Sequence, residues 1–107
     1  RQLLTVVRYD LPEGATDYVN SMWELQDAPY AGDAVNSYND GPPTPGVPAL
    51  GPFYELETSS PAAALTPGQS LTHRHQTYHF EGTEASLDQI VHETFGVNLN
   101  AIVTAFP

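Results

Sequence analysis

The alternation of apolar and polar positions divides the chain into short extended runs followed by one helical run. Leu3–Tyr9 (LLTVVRY) is apolar and β-branched and predicts a strand over 3–9. Asp10–Thr16 reads as a turn around Pro12 and Gly14. Asp17–Leu25 alternates and predicts a strand over 17–25, with Val19, Ser21, Trp23 and Leu25 as the better core face and Tyr18, Asn20, Met22 and Glu24 opposite. Further strands are expected over 34–38 and 53–58. Ala62–Leu65 is a short apolar run, and Ser70–Phe80 is the longest extended run. Between them Thr66–Gln69 has the Pro-Gly centre of a type II turn, so Ala62–Phe80 predicts a hairpin of strands 62–65 and 70–80. The period then changes. Leu87, Ile90, Val91 and Phe95 recur at helical spacing and predict an amphipathic helix over 84–95. Thr83 or Ser86 can cap it, Ser86 with Gln89 fits a capping box, and Gly96 suits the C′ position. Asn98–Phe106 reads as an extended tail.

These elements imply a mainly β fold, an antiparallel β-sandwich portion with one C-terminal amphipathic α-helix. At 107 residues one domain is the upper bound, so the chain is either a single domain or the C-terminal part of a larger sandwich domain. Its first residues already lie in an apolar strand-like run, which favours the second alternative. The stretch from Gln26 to Pro52 interrupts the pattern with six prolines and four glycines. Proline fixes φ and lacks the amide donor, so only the Ala34–Tyr38 run can pair there. A loop of that length is either a stiff connector or a functional segment.

Charge narrows the partners. Thirteen acidic residues face three arginines, Arg1, Arg8 and Arg74, and the formal net charge is −10. That field repels phosphate backbones and anionic headgroups, so neither nucleic acid nor a membrane is an expected partner. It suits a secreted or periplasmic protein as well as simple solubility. There is no cysteine, which excludes disulfides, thiol catalysis and cysteine–zinc sites. With no lysine and no glycine-rich phosphate loop, phosphoryl transfer is not expected.

Three groups of residues carry candidate chemistry. On the expected 70–80 strand, Leu71, His73, His75, Thr77 and His79 share a face, with His73 and His75 ~7 Å apart along it. A His-x-His pair can grip a ligand or a divalent metal, and a stable site needs a third ligand. The bland reading is a half-exposed strand face. Glu55 and Glu57 alternate onto one face of the 53–58 strand. They are either solvated or turned into a cleft where a carboxylate serves as general base. Asn36, Asn39 and Asp40, within NSYNDG, suit hydroxyl-rich ligands and equally suit a turn. His92, in the last helical turn, reads as structural.

The run YELETSSPAAALTPGQSLTHRHQTYHF resembles the C-terminal strands of the galactose mutarotase-like (aldose 1-epimerase) superfamily. Leu56-Glu57-Thr58 is similar to that superfamily's Glu-bearing strand, Pro67-Gly68-Gln69 to its Pro-Gly-Glu turn, and Tyr78-His79-Phe80 to its Tyr-Arg-Phe strand end. The wider stretch, over roughly residues 18–99, is similar to an uncharacterised bacterial family thought to share that fold. The resemblance implies a sugar ligand and puts Glu57 where mutarotases hold the base that takes the anomeric proton. The acid histidine and most sugar-binding residues of mutarotases lie upstream of this region. Gln69 and His79 depart from the superfamily's Glu and Arg.

Three functional expectations follow. The first is a carbohydrate-binding or carbohydrate-active domain with Glu57, His73 and His75 as catalytic candidates, Asn36, Asn39, Asp40 and Glu55 as ligand-binding candidates, and no cofactor. The second is a small metal-binding β protein in which Gly68, His73, His75 and Glu81 resemble the cupin His-x-His…Glu motif with altered spacing, and a divalent metal is the cofactor. The third is a non-catalytic structural or interaction module, its unpaired strand edges joining a second copy or an upstream portion.

Overall fold

The computed structural model describes residues 2–22, 24–39, 41–49 and 51–105. Four strands and two helices follow one another as β1 (Gln2–Tyr9), β2 (Val35–Asn39), β3 (Tyr54–Thr58), β4 (His75–Gly82), α1 (Glu84–Phe95) and α2 (Leu99–Val103). The strands form two two-stranded antiparallel sheets, β1–β4 and β2–β3. The chain divides into two compact units, one of 1–7 with 76–107 and one of 8–75.

In the first unit, α1 forms where the apolar period predicts it. Thr83 is the N-cap, its hydroxyl accepting from the Ser86 amide at 3.3 Å, and Ser86 lies inside the helix. Gly96 ends it at φ 72°, a left-handed conformation that glycine adopts without a Cβ clash, and its amide bonds the His92 carbonyl. Leu87 and Val91 are buried one turn apart, whereas Phe95 is about half exposed. The helix does not close the chain. The expected extended tail is replaced by α2, because Asn98 caps it by accepting from the Ala101 amide and the Asp88 carboxylate accepts the Leu99 amide at 2.7 Å. Those two side chains satisfy amides that an extended tail would leave to water. In the sheet, Thr5 Oγ1 and His79 Nδ1 lie 3.2 Å apart.

The second unit departs further from the alternation pattern. No strand runs over 17–25 among the described residues. Instead the Asn20 side chain accepts from the Met22 amide, the Gln26 amide group donates to the Met22 carbonyl, and the Glu24 amide bonds the same carbonyl. Short polar side chains here offer the backbone local partners in place of a ladder. The expected core face is not the buried one, and of the opposite face only Tyr18 is buried. Val19 and Leu25 are exposed; Trp23 lies outside the described residues. The hairpin over 62–80 does not form either. Pro61 and three alanines make a poor strand, the Ala62 amide bonds the Asp17 carbonyl, and β4 begins only at His75 and pairs with β1. The Pro67-Gly68 turn itself is present, with Gly68 at φ 88° and the Gln69 amide on the Thr66 carbonyl.

A tight backbone crossing organises this unit. The Tyr18 amide donates to the Tyr30 carbonyl, the Gly32 amide to the Tyr18 carbonyl and the Asn20 amide to the Pro29 carbonyl. A parallel bridge joins Tyr18 to Ala31. The Tyr18 side chain is buried, and its hydroxyl has no hydrogen-bond partner among the described residues. Removing that hydroxyl therefore costs little. Tyr18→Phe is expected to keep stability within about 1 kcal/mol of wild type or raise it. Tyr18→Ala should lose about 3–5 kcal/mol. Chemical denaturation of both variants checks this, and a Phe variant as damaged as the Ala variant would show that the hydroxyl is bonded.

Candidate functional site

The β2–β3 ladder sets the geometry of a cleft in the second unit. Asn36 is paired with Glu57 and Tyr38 with Glu55, in antiparallel register. Directly opposed residues project from the same face of a sheet, so these four side chains share one face. Phe53 precedes the strand at the same parity, and its ring centroid lies 6.0 Å from that of Tyr38 at an interplanar angle of 31°. The opposite wall comes from the backbone crossing and contributes Asn20, Ser21, Ala31, Gly32 and Asp33. Together they enclose about 780 Å³, within the usual range of about 300–1,000 Å³ for small-molecule sites.

The amides in this cleft are held in place. Asn36 donates to Ser21 Oγ at 3.0 Å, tying β2 to the opposite wall through its amide nitrogen. Asn20 donates to Gln26 Oε1 at 3.0 Å. Asp33, Glu55 and Glu57 are exposed carboxylates. The described lining contains no lysine, arginine or histidine. Arg74 is occupied with Asp10 at 3.3 Å, an exposed ion pair of small energetic weight.

The cleft thus gathers Asn36, Glu55 and Glu57 from the sequence candidates. It does not gather the histidines. Thr58 follows Glu57 and projects from the other face of β3, and its Oγ1 lies 2.9 Å from His73 Nε2 and 2.8 Å from His75 Nδ1. One hydroxyl has one proton, so it donates to at most one ring and accepts from the other. His73 is half-buried, its ring 6.5 Å from that of Tyr9, and it borders a smaller pocket of about 390 Å³ with Val19, Ser60, Pro61, Leu65 and Leu71. His79 belongs to the other unit. Asn39 lies in β2 with its side chain outside the described part, and Asp40 lies outside the described residues altogether. Among the described residues no three His, Cys, Asp or Glu side chains are placed to hold a metal ion together.

Sequence reasoning missed Asn20, Ser21, Asp33 and Phe53. Asn20 and Ser21 come from the segment read as a strand and Asp33 from the proline-rich stretch read as a long loop, and no spacing links them to Glu55 or Glu57. Only Gly32 carries a usable signal. A Cβ there would stand 2.3 Å from the Val19 carbonyl oxygen and 2.5 Å from its carbon, contacts with backbone that cannot swing aside.

The chain belongs to a family of unknown function, DUF6786, whose model matches residues 1–106. No curated protein and no solved structure matches it.

Two variants test the geometry. Gly32→Ala forces the crossing apart and is expected to destabilise the protein by at least about 2 kcal/mol, with loss of the Tyr18 and Asn20 amide protection in hydrogen exchange. Unchanged protection would mean that the two segments are not in contact. Thr58→Val removes the shared hydroxyl and should shift the ring ¹⁵N resonances of both His73 and His75; movement of only one would break the bridging arrangement.

Proposed function

We propose that the β2–β3 cleft binds a carbohydrate, within a β-sandwich domain of the galactose mutarotase-like kind. One observation carries the reading. The cross-strand pairs Asn36–Glu57 and Tyr38–Glu55 set hydrogen-bonding groups beside the Tyr38–Phe53 ring pair on a single face. A pyranose has the matching chemistry, with hydroxyls that donate to carboxylates and amide oxygens and a C–H face that packs on an aromatic ring. The resemblance of Leu56-Glu57-Thr58 to the mutarotase strand supports the same assignment and gives Glu57 the role of acceptor, or base, toward the anomeric hydroxyl. In this reading Asn36 and Glu55 hold neighbouring hydroxyls, and no cofactor is needed.

A second reading is favoured by the Thr58 cluster. Two ring nitrogens that converge on one oxygen form half of a tetrahedral divalent-metal site, with water completing the shell once the hydroxyl rotates away. His73 and His75 would be its ligands. Zinc or nickel titration of the wild type against His73→Ala and His75→Ala tests it. Equal uptake by all three proteins would remove both histidines.

The carbohydrate reading predicts that a panel of monosaccharides contains at least one that raises the melting temperature by binding the folded state. Glu57→Gln should weaken that ligand about tenfold or more, the usual loss for a hydrogen bond to a charged group, with its melting temperature without ligand unchanged. Isothermal titration decides it. Wild-type affinity in the variant would take Glu57 out of the site, and no response to any sugar would overturn the reading.

A further inference from the structure

The charge of the cleft allows its ligand to be specified further, resting on the carbohydrate reading above. Asp33, Glu55 and Glu57 line it, and none of its described lining residues is basic. Glu55 and Glu57 stand two residues apart on one strand face, about 7 Å along the strand and inside the physiological Debye length of about 8 Å. Their charges repel each other along that face, and the chain's net charge of −10 adds to the local field.

A neutral sugar leaves that repulsion in place and displaces the water that screens it. An acidic or phosphorylated sugar increases it. A cation relieves it. The aromatic pair has the same preference, because the faces of Tyr38 and Phe53 attract a positive charge. Tyr38 and Glu55 are cross-strand partners, so a carboxylate and an aromatic ring stand side by side at one register position. The opposite end of the face offers the Asn36 amide group and the Glu57 carboxylate to hydroxyls.

We propose that the cleft selects a cationic amino sugar, its ammonium group between Glu55 and the Tyr38–Phe53 rings and its ring hydroxyls on Asn36 and Glu57. Hydroxyl recognition and cation recognition then occupy neighbouring register positions on one sheet face.

The test is isothermal titration of the whole chain with glucosamine, glucose, glucuronate and cyclohexylamine, at low salt and at roughly half-molar salt. At low salt glucosamine is expected to bind about tenfold more tightly than glucose, from close carboxylates in a wet site. Glucuronate should bind most weakly, and the gap should shrink at high salt. Glu55→Gln should abolish the glucosamine preference, weakening glucosamine by clearly more than it weakens glucose. Asp33→Asn, at an exposed position, should reduce the preference in the same direction and guards against a fault particular to one variant. Equal affinity for glucosamine and glucose would overturn the amino-sugar assignment and leave a neutral-sugar site. Cyclohexylamine binding as tightly as glucosamine would overturn it differently, showing a cation site without hydroxyl recognition. Failure of all four ligands to bind would overturn the carbohydrate reading along with it.

Discussion

The close approach of two backbone segments at Gly32 is the constraint on which the candidate site depends. Residues 18–20 and 29–32 exchange three amide–carbonyl bonds, and the approach leaves no room for a side chain on Gly32. That crossing places Asn20, Ser21 and Asp33 across from β2–β3. The Ser21–Asn36 hydrogen bond then ties this wall to the sheet. Without the crossing, the β2–β3 pair would be an isolated two-stranded ladder, which is marginal in water, and its polar face would meet only solvent. Burial adds little else here, since Tyr18 is the sole buried hydrophobic side chain among the described residues of this unit. Backbone hydrogen bonding therefore carries an unusual share of what holds the cleft together.

The second consequence comes from strand alternation at two adjacent residues. Glu57 faces the cleft and Thr58 faces the histidines, and this single step divides the candidate chemistry into two sets. A mechanism that needs Glu57 and His73 on one substrate atom would need them on one face. The arrangement favours treating Glu57 with Asn36 and Glu55 as a recognition group, and Thr58, His73 and His75 as a separate hydrogen-bonded cluster. Because adjacent strand residues differ in face by geometry alone, no side-chain rearrangement of ordinary size brings the two sets together.

The same alternation explains what could be read from the sequence. The β2, β3 and β1 runs are short, β-rich and bounded by turn residues, and the helix is marked by its period, its capping threonine and Gly96, so each is legible locally. Residues 17–25 alternate as well as any of these, yet Asn20 and Gln26 redirect the backbone amides and carbonyls into local bonds. Pattern records which positions are apolar and not which partner a polar side chain finds. The Ala62–Phe80 hairpin failed for a related reason. Its turn is correct, but a turn specifies a hairpin only when both flanks can pair, and Ala62–Leu65 is bound at Ala62 to Asp17 instead. For the site, the Glu55–Glu57 face was visible because both residues sit on one strand. The wall supplied by Asn20, Ser21 and Asp33 was not, because it arises from a contact distant in sequence.

Exposure of the cleft carboxylates bears on what kind of chemistry they can perform. A general base gains its reactivity from partial removal from water, which raises the energy of its charged form. Glu55 and Glu57 are exposed on their sheet face, so in the free protein they are hydrated acceptors. A ligand that stacked on Tyr38 and Phe53 would itself supply the missing desolvation, covering the face and leaving each carboxylate with a hydroxyl or ammonium partner in place of water. Recognition would then come first, and any proton transfer by Glu57 would be a property of the occupied cleft and not of the empty one.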